Sequence, residues 1–334
     1  MAPPPVSDRT ETLSPRAEPE GPAPERQQPS GAADDPERYE QVCEHARGGL
    51  GRVVRAVDKR LGRTVAVKEL LPRAANGSTA ANEARFLREA LITARLEHPG
   101  IVPVHEAGRW PSGDPYYVMK LVEGRTLKEQ INASSTLRDR LALLPHVIAV
   151  ADAVGYAHSQ GVIHRDLKPS NVIVGEFGET IVVDWGLARD TKRDVPEVPE
   201  ELMLAAGSGV STVSGKVVGT PAYMSPEQAR GELVDERADV YAIGAVLYEL
   251  LSGSPPHHDD TPQATLERVI AGPPRPISST AHVPSELATI VGKAMERDPA
   301  ARYTTATAIA EDLRRYQTGK LVSAHQYSTW ALLR

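Results

Sequence analysis

The chain has 334 residues, 40% of them apolar, enough for one large or two ordinary domains with a buried core. Its formal charge is −6, and residues 1–36 hold seven acids against three arginines, so the remainder is nearly neutral and offers nucleic acid no basic stripe. The single cysteine, Cys43, excludes an internal disulfide and fits a reducing cytoplasm, and no run approaches the ~20 consecutive apolar residues of a membrane span.

Residues 1–36 carry nine prolines and almost no large apolar side chain, and are expected to form a disordered tail rather than a secretory leader. From Tyr39 the pattern changes. "RVVRAVDK" and "TVAVKEL" predict two strands joined by a hairpin turn at "RLGR". "AANEARFLREALITARLEH" places Phe86, Leu87, Ala90, Leu91 and Ala94 at helical spacing. "IVPVHEAG" and "PYYVMKLVEG" return to strand character. Beyond Leu127 the chain reads as helical, apart from a loop region over 160–227. "VIAVADAVGYA" and "YAIGAVLYELL", interrupted by Asp152 and Glu249, read as buried helices of a globular domain. The expected class is α+β: a small antiparallel β-rich lobe with one helix over about 39–122, a larger helical lobe over about 123–317, and a tail over 318–334.

"ARGGLGRV", residues 46–53, lies between two strands, and Gly48, Gly49 and Gly51 would let backbone amides approach a phosphate where a Cβ would block them. A glycine-rich hairpin also serves as a plain turn. Lys68 ends "VAVK", sharing one strand face with Ala66 while Val65 and Val67 share the other. The run alone leaves open which face meets a pocket, and whether Lys68 binds phosphate or lines a solvated edge. Glu89, mid-helix in "FLREAL", is placed to pair with Lys68 or to form an ordinary surface ion pair.

"VIHRDLKPSNVIV", residues 162–174, brings Asp166, Lys168 and Asn171 onto one loop, which Pro169 keeps out of a helix. "VVDWGLA" adds Asp184, with Gly186 two residues on. Asn171 and Asp184 are hard oxygen ligands of the kind Mg²⁺ takes beside substrate phosphates. Asp166 would accept or orient a hydroxyl proton, and Lys168 would offset charge on a transferring phosphoryl group. Taken singly, each also reads as a solvated loop residue. "HHDD", residues 257–260, reads as an exposed polar loop, since adjacent residues rarely converge on one ion.

Taken in order, these motifs resemble a bacterial eukaryotic-type (Hanks-type) Ser/Thr protein kinase over roughly residues 39–317. "GTPAYMSPE" at 219–227 resembles the substrate-binding end of an activation segment, and "DVYAIG" at 239–244 the buried helix that supports the catalytic loop. "DPAARY" at 298–303 resembles a late motif whose arginine, Arg302, pairs with Glu227. The resemblance implies a bilobal fold, ATP and Mg²⁺ as cofactors, and proteins bearing Ser or Thr hydroxyls as substrates. It makes Asp166 the base, with Lys168, Lys68 and Glu89 completing the catalytic set and Asn171 and Asp184 the metal ligands. Met119 would gate the adenine pocket, Lys120 and Val122 would offer hinge backbone groups, and Val53, Ala66 and Ile173 would sandwich the base.

Arg165 would bind a phosphate on the activation segment, with Thr212 and Ser214 as modification sites and Ser211 another; Thr220 would contact the catalytic loop. A homodimer is one route to such autophosphorylation. Bacterial members often continue into a membrane helix or sensor domain, which would place the chain at the cytoplasmic face of a membrane. Ala46 stands in place of the first glycine of the phosphate loop, and Trp185 in place of the usual phenylalanine beside the metal aspartate. Two alternatives share the frame. A binding-only pseudokinase would lack one of the chemical residues, and a small-molecule phosphotransferase is disfavoured by Lys168, Thr220 and the "SPE" ending.

Overall fold

Strand-forming sequence occupies the first part of the described chain. A computed structural model describes residues 37–48, 51–70, 79–192, 220–280 and 282–327. The chain divides into two units, Met1–Asp35 and Pro36–Arg334, and every described residue belongs to the second. The expected disordered tail, Gly49, Ser211, Thr212 and Ser214 lie outside the described residues.

Five strands, β1 (Tyr39–Arg47), β2 (Gly51–Asp58), β3 (Arg63–Leu70), β4 (Val104–Arg109) and β5 (Pro115–Lys120), form one antiparallel sheet in the order β1-β2-β3-β5-β4. Alternation divides its side chains. Ala56, Val65, Val67, Tyr116 and Val118 make one apolar cluster with Tyr39. On the other face Tyr117 packs with Phe86 and Ala90 of helix α1 (Thr79–Ala94). Strand β1 buries only Tyr39 and exposes the rest, Cys43 included, which is why its polar sequence carried no strand signal. Gly51 is required where β2 begins, because an added Cβ would lie 2.4 Å from the carbonyl oxygen of Glu69 on β3.

The region expected as loop, 160–227, holds short strands as well. β6 (Gly124–Thr126), β8 (Val172–Gly175) and β9 (Thr180–Val182) form one small sheet, and β7 (Val162–Ile163) pairs with β10 (Arg189–Asp190). Pairings of two to four residues are too brief for alternation to show.

Helices α2 (Leu127–Ala133), α3 (Leu137–Leu141), α4 (Leu144–Ser159), α5 (Pro226–Ala229), α6 (Arg237–Ser252), α7 (Pro262–Ala271), α8 (Ile277–Thr280), α9 (Ser285–Ala294) and α10 (Ala306–Gln317) make up the second lobe. α6 is buried from Ala238 to Leu251 and is its central element. Leu137–Ser159 is long and apolar enough to cross a membrane by length and composition, but half of its apolar window is buried, and Leu144, Val147, Val150 and Val154 belong to this lobe's core. Past α10 the chain folds back: Val322 is buried, and the Ser323 and Ala324 amides donate to Asp312 at 2.8 and 3.1 Å.

The reading of "HHDD" needs correction at its first residue. His257 is buried beside Tyr241, with Nε2 at 3.3 Å from the hydroxyl, and burial pushes its pKa down to about 4. Its neighbours remain outside, where Asp259 pairs with Arg268 at 2.5 Å.

Candidate active site

Register decides which face of β3 meets the cleft. Val53 and Tyr117 are the cross-strand neighbours of Lys68, and Met119 is that of Ala66, so these side chains share one face. That face lies under α1. The Lys68 ammonium donates to Glu89 Oε1 at 2.5 Å, and Glu89 is 4% exposed, so the pair is interior rather than a surface ion pair. Burial would lower the lysine pKa, but Glu89, Tyr117 and Asp184 outweigh it and hold the charge on. Lys68 also stands 3.9 Å from Asp184 Oδ1.

The catalytic-loop candidates are fixed from below by α6. Asp239 accepts from the backbone amides of His164 at 2.8 Å and Arg165 at 2.9 Å, and from His158 Nε2 at 2.8 Å. Gln228 of α5 donates to the Arg165 carbonyl at 2.7 Å. Held at both ends of its peptide, Arg165 adopts φ +68°. Asp184, at φ +64°, is the other non-glycine residue in left-handed backbone among those described. Such conformations persist only where the surroundings over-determine them, and both border the cleft.

Within the loop, Lys168 Nζ donates to Asp166 Oδ2 at 2.7 Å, and Asn171 Nδ2 donates to the Asp166 carbonyl at 2.9 Å. The Val183 amide donates to the Asn171 carbonyl at 2.9 Å, which ties the metal segment to this loop. Burial raises the Asp166 carboxyl above the ordinary aspartate range, against the pull of Lys168. At Asp184 burial acts the same way but is outweighed by Lys68 and Lys168, so that carboxyl sits below the ordinary range. Its oxygens open into the cleft, half exposed. With its amide nitrogen committed to Asp166, Asn171 has Oδ1 unbonded among the described residues. A carboxylate and an amide oxygen, both hard donors, form a set that fits a Mg²⁺ ion shared with phosphates.

Met119, Val122 and Ile173 meet Val102, Ile181 and Val183 in one apolar cluster. Lys120 is exposed, and its amide is engaged by the Pro103 carbonyl at 3.1 Å. Val122 is buried, yet its backbone groups bond nothing among the described residues. A buried apolar wall with an unspent donor and acceptor fits the edge of a purine. Gly48 and Gly51 close the turn between β1 and β2 through a 2.8 Å bond from amide to carbonyl. Thr220 makes no hydrogen bond to Asp166 or Lys168.

Arg302 donates to both oxygens of Glu227 at 2.7 and 2.8 Å, with the guanidinium fully buried. Trp185 is 1% exposed; its ring lies 4.6 Å from that of His164, and Nε1 reaches the Val182 carbonyl at 3.4 Å. Gly186 makes room at this point, since an added Cβ would lie 3.2 Å from Glu89 Oε2 and 3.3 Å from Asp184 Oδ1.

Three residues at the site carried no sequence signal strong enough to single them out. Arg85, one helical turn before Glu89, donates Nε to the Gly186 carbonyl at 3.1 Å. His158 backs Asp239. Tyr117 donates to Glu89 at 2.9 Å, and its place two residues before Met119 on one strand was the available clue.

A family model for the protein kinase domain matches residues 39–313. The chain is 39% identical over 298 residues to serine/threonine-protein kinase PknB of Mycolicibacterium smegmatis, covering 88% of this chain and 45% of that protein. It is 38% identical over 291 residues to a probable serine/threonine-protein kinase PknB of Bifidobacterium longum, covering 84% and 40% respectively. It is 34% identical over 296 residues to serine/threonine-protein kinase PknD of Chlamydia caviae, covering 85% and 31%. The chain spans less than half the length of these relatives. Since the matched span takes in both lobes and every residue that builds the cleft, the chain belongs to the protein kinase family.

Proposed function

We propose that this chain transfers the γ-phosphoryl group of ATP to Ser or Thr hydroxyls of proteins. One observation carries the reading: Asp166, Lys168 and Asn171 share a single hydrogen-bonded loop, tied through Val183 to Asp184, which Lys68 of the Lys68–Glu89 pair approaches across the cleft. The names of the relatives support a Ser/Thr acceptor.

In this reading the substrate hydroxyl oxygen forms the new bond to the γ-phosphorus as the bond to the β-phosphate bridging oxygen breaks. Asp166 orients the hydroxyl and takes its proton. Lys168 places a cation beside the transferring group, and Lys68, aimed by Glu89, holds the α- and β-phosphates. Asn171 and Asp184 would hold Mg²⁺, which offsets phosphate charge when bound. The turn held by Gly48 and Gly51 covers the phosphates; Met119, Val122, Val53, Ala66 and Ile173 enclose the adenine, with Lys120 at the hinge. Activity is regulated by autophosphorylation of Thr212 or Ser214, in a transient homodimer, with Arg165 receiving the phosphate and Thr220 kept for the acceptor hydroxyl. The protein works in the cytoplasm or at its membrane face.

Asp166→Asn is expected to lower kcat by about 10²–10⁴-fold, with nucleotide binding largely intact. Mass spectrometry after incubation with ATP should find phosphate on residues 211–214 of the wild type and none on the variant. Equal turnover in the two proteins would overturn the mechanism.

A further inference from the structure

We infer that Tyr117 is a positioning residue for the Lys68–Glu89 pair, holding α1 in its docked place from the neighbouring strand. The inference rests on the functional reading above, in which Lys68 holds nucleotide phosphates. Tyr117 faces Lys68 directly across the β3–β5 ladder, so hydroxyl and ammonium rise from the same face of the sheet. They converge on one atom: the Tyr117 hydroxyl donates to Glu89 Oε1 at 2.9 Å, and Lys68 donates to the same oxygen at 2.5 Å. The other carboxylate oxygen points towards Gly186, 3.2 Å from where a Cβ on that residue would stand. Two donors from the sheet on one oxygen fix the carboxylate's orientation.

The tyrosine is itself closely packed. It is 3% exposed, its ring lies 5.2 Å from that of Phe86 at 46°, and Ala90 completes the cluster. Burial and the neighbouring Glu89 push its pKa well above the ordinary tyrosine value, so it stays a donor. Should α1 swing away, Lys68 could turn to solvent or Asp184, but Tyr117 would lose its acceptor Glu89 together with its packing against Phe86 and Ala90, which all lie on α1. A hydrogen bond and a ring contact are thus made only in the docked arrangement. Tyr117 therefore favours the docked arrangement over the undocked one.

The test uses the full chain with ATP, Mg²⁺ and casein, comparing wild type, Tyr117→Phe, Glu89→Gln, their double variant and Lys68→Met. Tyr117→Phe keeps the ring and is expected to lose about tenfold in kcat/KM for ATP, with KM for casein unchanged. In the Glu89→Gln background the same change should cost less than about twofold, because its acceptor is altered already. Tyr117→Met, apolar and without a donor, gives the same comparison if the phenylalanine variant does not fold. If Lys68→Met is inactive while Tyr117→Phe turns over like wild type, or if the cycle is additive, Tyr117 only fills space and the proposal falls alone. If Lys68→Met retains wild-type turnover, the functional reading falls and takes the proposal with it.

Discussion

Asp166 and Asp184 enter the cleft from adjoining segments, yet their carboxyls shift in opposite senses, since burial carries Asp166 up and is outweighed at Asp184 by Lys68 and Lys168. Groups separated in this way can act differently at one pH: Asp184 stays ionised well below neutrality, while Asp166 takes up a proton sooner as the solution is acidified. In the proposed mechanism Asp166 acts as a carboxylate, so the acidic limb of kcat/KM should lie above the ordinary aspartate range. Lys168 favours the carboxylate, and removing it should raise the Asp166 pKa further. The Lys168→Met variant is therefore expected to lose its residual turnover at a higher pH than wild type, measured as kcat/KM against pH with ATP saturating. Coincident acidic limbs would contradict this. Lys68, Asp166, Asn171 and Asp184 were legible because each stands in a short motif and the motifs keep a fixed order. Tyr117 and Arg85 were not, because their roles depend on register between distant segments, which local sequence does not encode.

Helix α6 supports the catalytic loop through one carboxylate. Asp239 is 1% exposed and satisfies two backbone amides and one imidazole, holding Arg165 in a conformation few residues adopt. Asp239→Asn keeps one acceptor oxygen but turns an amino group towards a donor that the other oxygen satisfied, and leaving a buried donor unmatched typically costs about 1–3 kcal/mol. Burial opposes ionisation of Asp239, but His158, His164 and the backbone amide outweigh it, so the folded pKa lies below the unfolded one. A depressed carboxyl pKa gives stability that is fully present above the unfolded value of about 3.9 and fades as pH falls through the folded value. The deficit of Asp239→Asn in urea unfolding should thus be constant from about pH 7 to 5 and narrow below about pH 4. A deficit independent of pH would place the effect elsewhere. At this scale β2 to β5 and the long helices could be read from periodicity, whereas the exposed β1 and the brief β6 to β10 could not, since their pairing is made by backbone groups that every residue shares.

The division into a sheet lobe and a helical lobe was visible in the succession of strand and helix patterns, but the chain's return after α10 was not, because its anchors are the amides of Ser323 and Ala324. They converge with the Tyr303 hydroxyl, at 2.9 Å, on the fully buried Asp312. Asp312→Ala strands these donors and is expected to cost about 2–4 kcal/mol, seen as a lower Tm in calorimetry with KM for ATP unchanged. An unaltered Tm would mean that this fold-back adds nothing to the lobe. The two lobes are unequally filled. One continuous cluster runs through the helical lobe, while the sheet divides its buried side chains between two small groups on opposite faces. Cooperativity follows continuity of packing, so the sheet lobe is expected to open first, at a free energy below that of the whole molecule, with its strand amides exchanging hydrogen faster than those of α4 and α6. The expected stability is graded, with the half that carries Lys68 looser than the half that holds Asp166 in place. Nucleotide held between Lys68 and Asp184 would tighten the weaker half most, so occupancy of the cleft is written into the melting order of the lobes.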